Sequence, residues 1–145
     1  AQMILNHKAA IEFIVEEAAS PAVRSTDIFA IHAALSSNLL ADAHYEGRLR
    51  VRPVGIGGSV YTPMAVPQVI EEAFHRIVAT LNAIPDPFEQ AFFAMVHLPY
   101  LQPFIDVNKR TSRLVANLML LRGNMSPLSF VDVAEAEYVT GTLAG

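Results

Sequence analysis

The sequence contains no cysteine, which excludes a disulfide framework and any cysteine-based metal site. Long apolar runs are missing as well, and none approaches the roughly 18 residues that would suggest a membrane span. The first residues, A-Q-M-I-L-N-H-K, lack the charged-then-apolar order of a secretory leader. Positive charge is scarce: the net charge is −4, and the one run of adjacent cations is Lys109-Arg110, with Arg113 close by. A nucleic-acid-binding face needs Lys and Arg gathered along one side. Neither nucleic acid nor a membrane is therefore an expected partner, and a cytoplasmic protein is the expectation.

What is present is apolar. Of 145 residues, 52% are hydrophobic and 17% charged, enough to bury a core and too few charges for disorder. Residues 1–145 read as a single domain. The chain starts without methionine and already in a helical pattern, and it stops soon after a short helix has begun, so it is expected to be an excerpt of a longer protein.

The periodicity is helical with one exception. Met3, Ile4, Ile11, Ile14, Val15 and Ala18 share a face, giving a helix that ends before Ser20-Pro21. Ser25 or Thr26 can cap a second helix with Ile28, Ile31, Leu35 and Leu39 inward. Val66, Ile70, Ala73, Phe74, Ile77 and Leu81 form the clearest stripe, entered through Pro63 and Pro67. Asp86-Pro87-Phe88-Glu89 starts a fourth helix through Phe92, Met95 and Val96, which Pro99 should end or kink near Leu98. A fifth carries Leu114, Val115, Leu118 and Leu121 and stops at Gly123, read as a left-handed terminator. Asp132 and Glu135 suggest a last short helix. The exception is 47–63, where Leu49, Val51 and Val60 alternate with polar residues before the glycines. It reads as a β-hairpin lying on the helical body, whose open edge suits an extended peptide. The glycines by themselves equally suit plain turns.

Residues 102–113, Q-P-F-I-D-V-N-K-R-T-S-R, carry the chemistry. Amides in the first turn of a helix have no intrahelical acceptor, and the helix dipole adds partial positive charge there. A turn ending at such a helix presents N–H groups to an anion. Arg110 and Arg113 share one helical face and can both reach it. Cations at a helix N-terminus oppose the dipole, and a bound phosphate compensates them. A merely solvated basic face would not account for Pro-Phe, Asp and Asn preceding the cations in order.

This string resembles the signature of the Fic family, H-P-F-x-D/E-G-N-G-R-x-x-R, and its N-K-R resembles the Doc-type variant. Residues 47–63 resemble the family's β-hairpin flap, and the order of helices, flap, helices, loop and helix is similar too. The resemblance implies an all-α, Fic-like fold of about six helices with a small flap. It implies AMP transfer from ATP to a protein hydroxyl, with Mg²⁺ on Asp106 as hard-cation chemistry allows. Asn108, Lys109, Arg110 and Arg113 are then the nucleotide- and phosphate-binding residues, Phe104 anchors the loop, and Val54, Gly55, Ile56, Gly57 and Gly58 dock the target peptide or a neighbouring domain.

Three positions depart from the pattern. Gln102 stands where the family has its catalytic histidine, and an amide cannot accept the attacking hydroxyl's proton. Val107 replaces a glycine, although a β-branched residue is poorly suited to a positive φ. Lys109 replaces the second glycine, as in Doc, which phosphorylates its target. The expectation is a nucleotide-binding member with weak or lost transfer. The alternatives are a non-catalytic phosphate-binding and peptide-docking module or a Doc-like kinase. His97, five residues before Gln102, could stand in as a base if the chain kinked suitably at Pro99, but is read as a structural helix-end residue; His7, His32, His44 and His75 are read as structural or surface residues without metal-ligand spacing. No S/T-x-x-x-E of the family's inhibitory helix occurs.

Overall fold

The computed structural model describes residues 1–56 and 61–129. Five α-helices follow in order: α1 Gln2–Glu17, α2 Ser25–Ser36, α3 Pro67–Ala83, α4 Pro87–Leu101 and α5 Asn108–Arg122, with one 3-10 turn at Ala43–Tyr45. The all-α expectation holds. Among the described residues there is no β-strand, so 47–56 and 61–63 do not pair as the expected hairpin. Its tip, with Gly57 and Gly58, lies outside the described residues, as does the last helix expected at Asp132 and Glu135.

The fifth helix is the centre of the fold. Leu114, Val115, Ala116, Leu118, Met119 and Leu120 are all buried, so burial wraps the helix instead of following one stripe. It packs against α1, α2 and α4. The aromatic centre lies beneath the α4–α5 loop. Phe29 stacks on Phe74 at 5.1 Å between ring centroids, and Phe104 meets both rings edge-on at 6.2 Å.

Several sequence expectations are corrected. The inward face of α1 is Asn6, Ala10 and Ile14, while Met3, Ile4, Ile11 and Val15 are exposed. Apolar residues occur around most of this helix, and the small Ala10 together with Asn6, which donates to Leu35 O and Ser37 O, fits the closer contact with α2. The second helix begins at Ser25 itself: its N-cap is Arg24, whose N–H donates to Asp27 Oδ2 at 2.8 Å. Leu39 lies beyond the end of α2 and is 37% exposed.

Pro99 does not end α4, which continues to Leu101 and closes with Gln102 N–H on Leu98 O. A proline in the last turn removes one ladder bond while the following turn remains intact. The inner face is Ala91, Ala94, Leu98 and Leu101, and Phe92 and Val96 point outward. Gly123 has φ −84 and is not left-handed; Asn124 takes that role with φ 59. Glycine is needed at 123 for space, since a Cβ there would lie 2.3 Å from Pro87 Cγ.

Candidate functional site: the loop between α4 and α5

Residues 102–107 turn the chain from α4 into α5 between two left-handed residues, Gln102 at φ 50 and Val107 at φ 65. Asn108, buried at the start of α5, organises the turn with its side chain. Its Oδ1 accepts from Phe104 N–H at 2.8 Å, and its Nδ2 donates to Phe104 O at 2.9 Å and to Gln102 Oε1 at 3.0 Å. Gln102 Nε2 donates in turn to Pro99 O at 2.8 Å. The Gln102 amide thus bridges the end of α4 to the start of α5, with both polar ends engaged.

Asp106 is exposed at the crest of the loop, and one carboxylate oxygen accepts from Val107 N–H at 2.7 Å. The first i→i−4 bond of α5 runs from Thr111 N–H to Val107 O, so the preceding amides belong to the open turn. Lys109, Arg110 and Arg113 are half-buried around it. Burial, then the charge of Arg113, pushes the Lys109 ammonium below its ordinary value. Arg110 and Arg113 line a cavity of about 630 Å³ whose remaining wall is mostly apolar, from α1, α5 and residues 127–129. The fold therefore gathers Gln102, Asp106, Asn108, Lys109, Arg110 and Arg113 at one helix start. Of the expected docking residues, Val54 and Ile56 are half-buried and Gly55 is exposed; Gly57 and Gly58 lie outside the described residues.

Two residues support this loop in a way the sequence reading did not assign to either. His32, grouped above with structural or surface histidines, is fully buried and stacks on Phe104 at 3.9 Å. Gly47 N–H donates to its Nδ1 at 2.9 Å, which places the imidazole proton on Nε2, and Nε2 donates to Asp106 O at 3.0 Å. Burial pushes the His32 imidazole down from its ordinary value. Its position beside Ile28, Ile31 and Leu35 on the inward face of α2 was the available signal.

Arg50 is the second. Alternation placed Leu49 and Val51 inward, yet Arg50 is fully buried and Val51 is 63% exposed. The guanidinium donates to backbone carbonyls of Leu101, Gln102, Arg52 and Met64, which compensates its burial. His97, by contrast, is exposed and rests against Phe93 at 4.1 Å.

The profile of the Fic/DOC family matches residues 22–120, a span that includes α2 through most of α5 and the whole loop. This chain belongs to the Fic/DOC family. Within it, the Fic domain is 34% identical over 116 residues to the protein adenylyltransferase fic-1 of Caenorhabditis elegans. That alignment covers 77% of this chain and 22% of the relative, so the chain spans about a fifth of the length of the curated relatives it matches. A solved structure of C. elegans Fic-1 (residues 134–508, E274G) superposes with a TM-score of 0.75 at 27% identity, covering 97% of this chain and 42% of that one. A Fic domain-containing signaling protein from Bacteroides thetaiotaomicron shares the fold with a TM-score of 0.77 at 20% identity, covering 96% and 55%. The Fic domain here is thus similar to protein adenylyltransferases in sequence and in fold.

Proposed function

We propose that this Fic domain binds Mg²⁺-ATP at the α4–α5 loop and has weak or no capacity to transfer AMP to a protein hydroxyl. The observation that carries this reading is the state of Gln102. Its side chain is held between Pro99 O and Asn108 Nδ2 at the position where the family signature has its histidine. An amide there can orient a hydroxyl but has no basic lone pair to deprotonate it. A missing general base costs about a hundredfold to ten-thousandfold in rate.

The donor set fits the two ligands. Mg²⁺ keeps several waters and is held by one or two carboxylates plus substrate phosphates, which suits the single exposed carboxylate of Asp106. A phosphate chain suits the first-turn amides of α5 with Arg110 and Arg113 one turn apart on the same helix. When bound, the metal would neutralise phosphate charge. The protein's own part is to hold the anion, keep Gln102 fixed and present residues 51–56 and 61–64 to a polypeptide target. Localisation in the cytoplasm remains part of this reading.

Label transfer from ATP tests it. The expected result is measurable Mg²⁺-ATP binding with faint or absent α-label on protein. Strong α-label would overturn the weakened site, γ-label alone would replace it with a Doc-like kinase, and absent ATP binding would overturn it altogether.

A further inference from the structure

The carbonyls that close α4 are covered from one direction. Carbonyls in the last turn of a helix have no intrahelical donor and carry the negative end of the dipole. Here Tyr100 O accepts from the Tyr61 hydroxyl at 2.8 Å. Leu101 O accepts from Arg50 Nη2 at 3.2 Å, Gln102 O from Arg50 Nε at 2.5 Å, and Pro103 O from the Arg50 N–H at 2.9 Å. Four consecutive carbonyls are therefore bonded by two residues, Arg50 and Tyr61. The same guanidinium also donates to Arg52 O and Met64 O, tying together the stretches 50–56 and 61–64. Tyr61 packs on Tyr100 at 5.0 Å between ring centroids, adding a second point of attachment.

We propose that Arg50, seconded by Tyr61, is a positioning residue that couples residues 50–56 and 61–64 to Gln102, and so holds the backbone of the residue at the family's histidine position. Gln102 sits in a left-handed conformation, which an L-residue keeps only where its surroundings hold it. The Gln102 N–H bond to Leu98 O and its side-chain bonds to Pro99 O and Asn108 hold it from within the loop, and the Arg50 bonds to the carbonyls on either side of its Cα hold it from outside. A guanidinium suits this task because its planar fork reaches several acceptors at once, which an ammonium cannot match. The functional consequence rests on the nucleotide-transfer reading above, but the coupling is measurable without nucleotide.

Amide hydrogen exchange in sub-denaturing urea reads the coupling. In the unmodified chain, the Arg50 and Gln102 amides are expected to open together, with one common urea dependence. Separate dependences overturn the proposal. Tyr61→Phe removes one hydroxyl from a half-buried position and should speed exchange at both amides about fivefold, the loss of one neutral hydrogen bond. Arg50→Met should speed both more than Tyr61→Phe does, and Arg50→Lys should restore part of the protection. Loosening of 50–56 with an unchanged Gln102 amide, or equal loosening of α1 and α2, refutes a specific link. Calorimetry with Mg²⁺-ATP on the same samples separates the two ideas. A chain that fails to bind ATP defeats the nucleotide reading, whereas the exchange data alone decide the coupling.

Discussion

Replacing Val107 by glycine and, separately, by alanine isolates the conformational cost stored in the loop. Val107 has φ 65 and ψ 23, and its side chain is 6% exposed within the main core. A residue with a Cβ in this conformation is disfavoured by about 1–2 kcal/mol relative to glycine. Removing the three side-chain carbons loses about 2.4 kcal/mol at about 0.8 kcal/mol per buried carbon. Glycine also widens the unfolded ensemble, at a cost of about 0.4–1 kcal/mol. The sum leaves Val107→Gly destabilised by about 1.5 kcal/mol, so burial outweighs strain. Alanine loses two carbons and keeps the backbone cost, which also gives about 1.6 kcal/mol. Near-equality of the two variants is the signature, because at an ordinary φ glycine would fall roughly 1.5 kcal/mol below alanine. Urea unfolding followed by circular dichroism measures it, provided the slope stays constant. A glycine variant about 1.5 kcal/mol less stable than the alanine variant refutes the strain.

Three further outcomes are expected. Gln102→His should raise α-label transfer about a hundredfold or more; unchanged transfer with intact Mg²⁺-ATP binding would mean the missing base is not limiting. Arg113→Ala should weaken Mg²⁺-ATP binding by about 1.5–3 kcal/mol, the range for a charge-assisted contact, and unaltered calorimetry would remove Arg113 from the site. His32 titrates below its ordinary value of 6.5 chiefly through burial, with the Asp106 carbonyl bond and the charges of Asp106 and Glu46 opposing. The unfolded chain therefore takes up the proton first, so the stability His32 contributes is whole above 6.5 and declines as pH falls below it. The urea midpoint should drop over that range, and His32→Asn should flatten the drop; equal slopes would refute it.

What the sequence made legible was local. The α3 stripe, the Asp86-Pro87 start of α4 and the order of residues in the loop depend on neighbours within one or two turns, and periodicity or capping reports those directly. Positive φ at Val107 was foreseeable as the position of a family glycine. Hidden were features decided by partners far along the chain. Arg50 is buried because carbonyls about fifty residues away accept its protons, and an alternating pattern places it outward. The α1 face was misjudged because apolar residues surround that helix and only the neighbours select which side is covered. Gly123 looked like a helix terminator, whereas its smallness answers to Pro87, 36 residues earlier by the numbering.

That contact between Gly123 and Pro87 joins the far ends of α4 and α5. The two helices have 15 residues each and are therefore about 22 Å long, like the tines of a fork whose handle is Pro87–Gly123. The loop 102–107 bridges the tips. A bulkier residue at the handle would push the arms apart at the root, and packing along their length would carry the misalignment toward the gap between Gln102 and Asn108. That gap is spanned by one side-chain hydrogen bond of 3.0 Å, with little slack to absorb a wider stance. The separation of Gln102 and Asn108 is thus set partly by a glycine at the opposite end of the domain.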